Sequence, residues 1–291
     1  MKTTIISYAN KGHYKNQRKL ARSARKFGID EIISYTEKDL KATIFYEQHK
    51  EILDQKRGGG YWLWKPYYIL KTLKKMDKGG ILIYSDSGVE ITASLDPLIK
   101  ICIKKGILPF SVGQYINKFW TKRDCFVLTD CDSEYYWNSR QYTASFILFK
   151  NSKQSRDFVS EWLNYCMNKN ILTDIPNACG LSNLPEFKDH RHDQSILSLL
   201  AKKHNVEMFR DPSQWGNPHK RPSRGPSSVT FGRHRPVGAL RPSQKYAWSQ
   251  GVRDPTGRSG SGDSPGADRP ARGDCPDQCT RNNTPGGTVV S

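Results

Sequence analysis

Apolar and polar positions alternate between two periods along roughly the first 220 residues, and that alternation argues an α/β fold. Thr3 to Ala9 reads as a strand. Tyr14 to Phe27 sets Leu20, Ala21, Ala24 and Phe27 at helical spacing among basic residues, and Glu31 to Tyr35 returns to a strand pattern. Strand, helix and strand in such a short stretch form a βαβ unit. A second helix is expected from Pro66, which suits a first helical turn, to about Met76. Ile69, Leu70, Leu73 and Met76 share one of its faces, and Gly79-Gly80 ends it. Ile81 to Tyr84 is a continuous apolar run, as expected of a central strand buried on both sides. Further strands are expected over Ile107 to Val112 and Ala144 to Phe149. Helices are expected around Phe158, Val159, Trp162, Leu163 and Cys166, and from about His192-Asp193 through Ile196, Leu197, Leu199 and Leu200. There are no internal repeats. The expected architecture is α/β, with one mostly parallel central sheet flanked by helices.

Composition divides the chain. From Arg221 to Ser291 there are 11 Gly and 9 Pro, a single Leu (Leu240) and no Ile. Such a segment cannot bury enough apolar surface to offset its chain entropy, so the expectation is a folded domain over 1–220 and a disordered Arg/Gly/Pro/Ser tail over 221–291. The change from Lys-rich to Arg-rich usage is abrupt enough that a tail foreign to the domain is an open reading. Cys275 and Cys279 form one pair without a second, and unpaired thiols explain them more simply than a metal does.

The formal charge is +18, of which +12 lies in the first 220 residues and +6 in the tail. This favours acidic partners: phosphates, nucleic acid or an anionic membrane surface. No apolar run approaches the roughly 18 residues that span a bilayer. The apolar stretch at the N-terminus is too short for a secretory signal, and the seven Cys lack disulfide-rich spacing. The expectation is a cytoplasmic protein, with peripheral contact at the inner face of the membrane open to it.

Four segments carry candidate chemistry. Asp86 follows the apolar run ending at Tyr84, where open α/β sheets bind ligands, and a carboxylate there can hold a divalent cation against a diphosphate; Glu90 lies four residues on. Capping of a local turn is the competing role for Asp86. Arg57-Gly58-Gly59-Gly60-Tyr61-Trp62-Leu63-Trp64-Lys65 offers backbone N–H groups, two bracketing cations and aromatic rings able to stack on a base or sugar. Core packing competes for at least one of the Trp residues. Asp189-His190-Arg191-His192-Asp193-Gln194-Ser195 can supply a metal ligand, a general base or a phosphate contact, with helix capping by Asp189 as the alternative. Asp130-Cys131-Asp132 is a literal Asp-x-Asp and a competing metal site, set in a loop-like context.

Together these blocks resemble a bacterial family of GT-A-type glycosyltransferases. The likeness rests on Arg57 to Pro66, Leu82 to Ile91, Thr143 to Leu148, His190 to Ser195 and Asp211-Pro212-Ser213-Gln214-Trp215-Gly216, and spans about residues 1–218. It implies a nucleotide-diphosphate-sugar fold and a hexosyltransferase-type activity toward a surface glycan or lipid-linked acceptor. It further implies a divalent cation (Mn²⁺ or Mg²⁺) held by Asp86, with Glu90 or His192 completing the site. Donor contacts are implied for Arg57, Gly59, Tyr61, Trp64, Lys65, Ser87 and Gln194, and Asp193 is implied as the catalytic base or sugar contact. The chain departs from the usual Asp-x-Asp at Gly88.

Two other readings remain. A basic nucleic-acid-binding protein would explain the charge, although the cations are spread over many elements and no nucleic-acid motif appears, so no nucleic-acid partner is expected. An inactive product of a disrupted glycosyltransferase gene would explain the break in composition.

Overall fold

The computed structural model describes residues 1–213. The expected boundary near 220, the tail with Cys275 and Cys279, and Gln214-Trp215-Gly216 all lie outside the described residues.

A five-stranded sheet organises the domain, in the order β2-β1-β3-β7-β4. Its strands are β1 (Thr3–Ala9), β2 (Glu31–Thr36), β3 (Ile81–Ser85), β4 (Ile107–Leu108) and β7 (Phe146–Lys150). β1 pairs in parallel with β2 and β3, from Thr4↔Glu31 and Thr3↔Ile81 onward. β7 runs antiparallel between β3 and β4, with Ser85↔Phe146 and Ile107↔Phe149. Four of the five strands therefore point the same way, and the expected mostly parallel α/β sheet is observed.

The Ile107 to Val112 strand divides in two. Pro109 has no N–H for a ladder, and the chain leaves the main sheet there. It then forms β5 (Ser111–Ile116), which pairs with β6 (Arg140–Tyr142) in a second, two-stranded sheet.

The pleat of β3 sends alternate residues to opposite faces, and each face has its own core. Ile81 and Ile83 pack with α1 (Tyr14–Lys26) through Leu20 and Ala24, and with α3 (Asp96–Lys105) through Leu98 and Cys102. On the other face, Leu82 and Tyr84 pack with α2 (Trp64–Lys75), α4 (Lys153–Cys166) and α5 (Asp193–Lys203). Helix α2 starts two residues before Pro66, which then sits in the first turn, where no intrahelical N–H bond is lost. Gln17 on α1 donates to Ser7 O on β1 (3.3 Å) and Tyr35 O on β2 (2.9 Å), holding the βαβ unit together. No helix among the described residues is long and apolar enough to cross a membrane.

Candidate functional site

The strand order opens a crevice at the carboxyl edge of the sheet. The chain leaves β1 toward β2 on one side and returns to β3 on the other, so β1 and β3 flank the switch point where such sheets bind ligands. Just past that edge, Asp86 N–H donates to Ser145 O (2.8 Å), which fixes the turn after β3.

Three elements converge on this turn. Lys65, in the first turn of α2, is buried, and its Nζ lies 5.3 Å from the ring centroid of Tyr84 and 5.9 Å from that of Trp64. The same Nζ is 2.7 Å from Oδ2 of Asp193, itself buried, and 3.8 Å from Oδ1 of Asp86. Tyr84 donates its hydroxyl to Asp86 Oδ1 at 2.5 Å. Asp193 opens α5, and its carbonyl accepts the indole N–H of Trp162 (2.9 Å). Burial pushes the Asp193 carboxyl up to about 6, against the pull of Lys65, and the neighbouring Asp86 adds to the rise. Asp86 is the member that faces outward, with 37% of its side chain exposed.

The glycine run has a different structure from an open anion cradle. Five consecutive residues have positive φ: Gly58, Gly59, Gly60, Tyr61 and Trp62. The N–H groups of Gly59, Gly60 and Tyr61 donate to the carbonyls of Lys56 (3.2 Å), Gln55 (2.7 Å) and Arg57 (2.7 Å), so they are not available to a diphosphate. Gly60 is required by close approach as well as by its φ of 92°, because a Cβ there would stand 2.6 Å from Leu53 Cα. Gly59, by contrast, has room for a Cβ. Gly60→Ala is expected to cost at least about 2 kcal/mol of stability, and Gly59→Ala about 1 kcal/mol. Urea denaturation of the two variants checks this, and equal midpoints would contradict it.

Trp64 is a core residue. Its ring stacks on Tyr8 at 4.0 Å and its indole N–H donates to Gly58 O (3.1 Å), so it cannot serve as an exposed stacking platform. Tyr61 is half-buried, with its ring 5.0 Å from that of His192.

Arg57 is held by carboxylates. Its Nη1 donates to Asp174 Oδ2 (2.9 Å) and its Nη2 to Asp189 Oδ2 (2.7 Å), clasping both ends of the segment 174–189 to the glycine turn. Asp189 therefore holds Arg57 rather than capping α5, whose N-cap is His192. His192 Nε2 lies 3.0 Å from Asp174 Oδ1. Burial raises the Asp174 carboxyl, but the His192 hydrogen bond and the charge of the Arg57 guanidinium outweigh it and hold the group down at about 2. Asp174 stands outside every motif in the sequence. His190 Nδ1 accepts from Lys122 N–H (3.3 Å) and its Nε2 donates to Ile171 O (2.9 Å), an arrangement that suits a neutral ring; burial likewise keeps its pKa well down.

The other expected residues are placed as follows. Ser87 is buried in the turn beside Asp86. Gln194 donates to Gln141 Oε1 (2.8 Å) and accepts from Ala144 N–H (3.4 Å), which ties α5 to β6 and the approach to β7. Glu90 pairs with Lys19 on α1 at 2.6 Å. Asp86, Glu90 and His192 are thus not brought together as one donor set, because Lys19 and Asp174 engage two of them. Among the described residues, no group of three or more His, Cys, Asp or Glu is placed to hold a metal ion. In the rival Asp-x-Asp, Asp132 accepts from Arg123 (2.9 Å) and from the Trp137 indole (2.9 Å), while Asp130 is exposed, 3.6 Å from Lys203. That segment is a structural corner.

No protein-family model matches the chain, and no curated protein matches it. Several solved structures resemble it. Over 72% of this chain and 39% of the other, it is similar to the apo bifunctional glycosyltransferase WbbM, at 8% identity and a TM-score of 0.44. Over 75% of this chain and 90% of the other, it is similar to mouse xyloside xylosyltransferase 1, at 10% identity and a TM-score of 0.44. Over 73% of this chain and 46% of the other, it is similar to the apo glycosyltransferase GlyE of Streptococcus pneumoniae TIGR4, at 15% identity and a TM-score of 0.38. The chain spans less than half the length of WbbM and of GlyE.

Proposed function

We propose that the chain transfers a sugar from a nucleotide-diphosphate donor to a hydroxyl of a surface glycan or lipid-linked acceptor. The observation that supports this most directly is the cluster of Asp86, Lys65 and Asp193 at the carboxyl edge of β3, beside the switch point of the sheet. The expulsion of a nucleoside diphosphate builds negative charge, and a fixed ammonium in a water-poor site stabilises that charge more than solvent does. Lys65 is the one cation built into this cluster, whereas Arg57 serves as a clasp. Outward-facing Asp86 is the donor contact. Asp193, with its pKa near 6, remains mostly ionised at neutral pH yet is basic enough to take a proton from, or orient, a sugar hydroxyl. No step is routed through a divalent cation, because Glu90 and His192 are engaged elsewhere.

A thermal-shift series with the nucleoside diphosphates of uridine, guanosine, cytidine, adenosine and thymidine, each with and without Mn²⁺, tests the reading. One base is expected to raise the melting temperature, and saturation at a hundred times Kd corresponds to about 2.7 kcal/mol of added stability. The arms with Mn²⁺ read cation dependence separately. No shift with any of the five, in either arm, would overturn the proposal.

A further inference from the structure

The basic charge of the domain is not evenly laid out, and one helix concentrates it. Helix α1 contains no Asp or Glu. Lys15, Arg18, Arg22, Arg25 and Lys26 are all exposed, and at helical spacing they fall within an arc of about 100°, in a ridge about 17 Å long. Gln17, Leu20, Ser23 and Ala24 occupy the opposite side and face the sheet. Among the described residues, none of the five cations makes a side-chain ion pair; Lys19, just off the ridge, takes Glu90, and Lys26 lies 5.6 Å from the Phe27 ring centroid. Five like charges on one strip of helix repel one another, and only Arg25 and Lys26, in the last turn, gain from the helix dipole. Helix α3 packs on the same face of the sheet and exposes Lys100 and Lys104, with Asp96 at its start.

We propose that this ridge is a docking surface for an anionic lipid bilayer. The charge complementarity is with a flat, diffuse field of phosphates: the cations lie on a straight, convex outer helix, and a bilayer surface attracts such residues at about 1 kcal/mol each. A single-stranded nucleic-acid site pairs its charge with stacking rings along a groove; the shallow cavity of about 340 Å³ between Arg18, Ala21, Arg22 and Arg25 is lined by no ring, and Phe27 at the far end of the ridge is half-buried against the core. The apolar side of α1 is already engaged with the sheet, so the helix does not insert. The contact is electrostatic and sensitive to salt. The ridge does not depend on the sugar-transfer reading, and the two fail separately.

The test is co-sedimentation of the full chain with vesicles of phosphatidylcholine, either pure or containing roughly one-third phosphatidylglycerol. The wild-type chain is expected to bind only the anionic vesicles and to be released between about 50 and about 500 mM salt. The variant Lys15→Gln/Arg18→Gln/Arg22→Gln/Arg25→Gln is expected to bind on the order of a thousandfold more weakly, with its thermal unfolding unchanged. The control variant Lys71→Gln/Lys74→Gln/Lys75→Gln/Lys78→Gln removes equal charge from the other face of the sheet and keeps binding. Failure of the wild-type chain to bind anionic vesicles would overturn the proposal, as would equal binding by the α1 variant. Tighter binding of an oligonucleotide than of vesicles at equal phosphate, lost in the α1 variant, would assign the ridge to nucleic acid instead.

Discussion

Lys65→Met is expected to lose about 3–5 kcal/mol of stability and to abolish the proposed sugar transfer, because it leaves a buried carboxylate without its cation. In the parent chain, Lys65 Nζ and Asp193 Oδ2 are 2.7 Å apart and both side chains are almost wholly buried. Methionine keeps an unbranched apolar stem and removes the charge. The double variant Lys65→Met/Asp193→Asn removes the stranded charge as well, so it recovers most of the stability while staying inactive. The effect carries a pH signature. The folded-state pKa of Asp193, about 6, lies above its ordinary value of 3.8, so its stabilising contribution is complete below the ordinary value and is lost as pH rises through about 6. Without Lys65 the folded value climbs further, and the deficit of Lys65→Met widens between about pH 5 and about pH 8. Urea midpoints at the two pH values read this directly. A deficit that is the same at both, or absent, would remove Lys65 as the partner of Asp193.

Asp86→Ala separates activity from stability. Product formation is expected to fall at least about a hundredfold, the scale on which a single preorganised electrostatic contact acts in a reaction centre. The unfolding midpoint is expected to fall only by the worth of about one hydrogen bond, ~1 kcal/mol, because Asp86 is more than one-third exposed, its main-chain bonds to Ser145 and Val89 do not involve the side chain, and the Tyr84 hydroxyl loses one acceptor. Asp86→Asn, which retains an acceptor for the Tyr84 hydroxyl, distinguishes charge from hydrogen bonding: if charge matters, it is as inactive as the alanine variant. Turnover near the parent rate in Asp86→Ala would take this residue out of the site.

The position of Asp86 is legible in the sequence because a continuous apolar run that gives way to small polar residues marks the end of a buried strand. Asp193 is legible for a similar reason, standing where a helical period begins. Lys65 is legible as one of the two cations bracketing the glycine run, but its burial and its pairing with Asp193 are not. Lys65 sits at the start of a helix rich in lysine, and nothing local shows that its ammonium lies over the rings of Tyr84 and Trp64 rather than in solvent. Gly58-Gly59-Gly60 reads as a run of backbone N–H groups open to an anion, since nothing local shows that the main chain of Leu53 presses against Gly60. The short helical turns that place Leu53 are too brief to carry a period. Asp174 has no local signal at all, because its role depends on Arg57, 117 positions away in the chain. The strand expected over 107–112 fails at Pro109, which does carry a signal: a residue without an amide hydrogen cannot continue an interior ladder.

The place of β7 in the sheet sets an order of events for biosynthesis. β3 and β4 are neighbours in sequence but not in space, since the strand that joins them is Phe146–Lys150. As the chain leaves the ribosome, the βαβ unit can close early, yet the edge of β3 that carries Asp86 must wait, unpaired and prone to mispairing, until about a third more of the domain has been made. The carboxylate that completes the cluster arrives later still, on α5. A nascent domain of this design holds the Asp86, Lys65 and Asp193 cluster incomplete until the last of its described helices is in place.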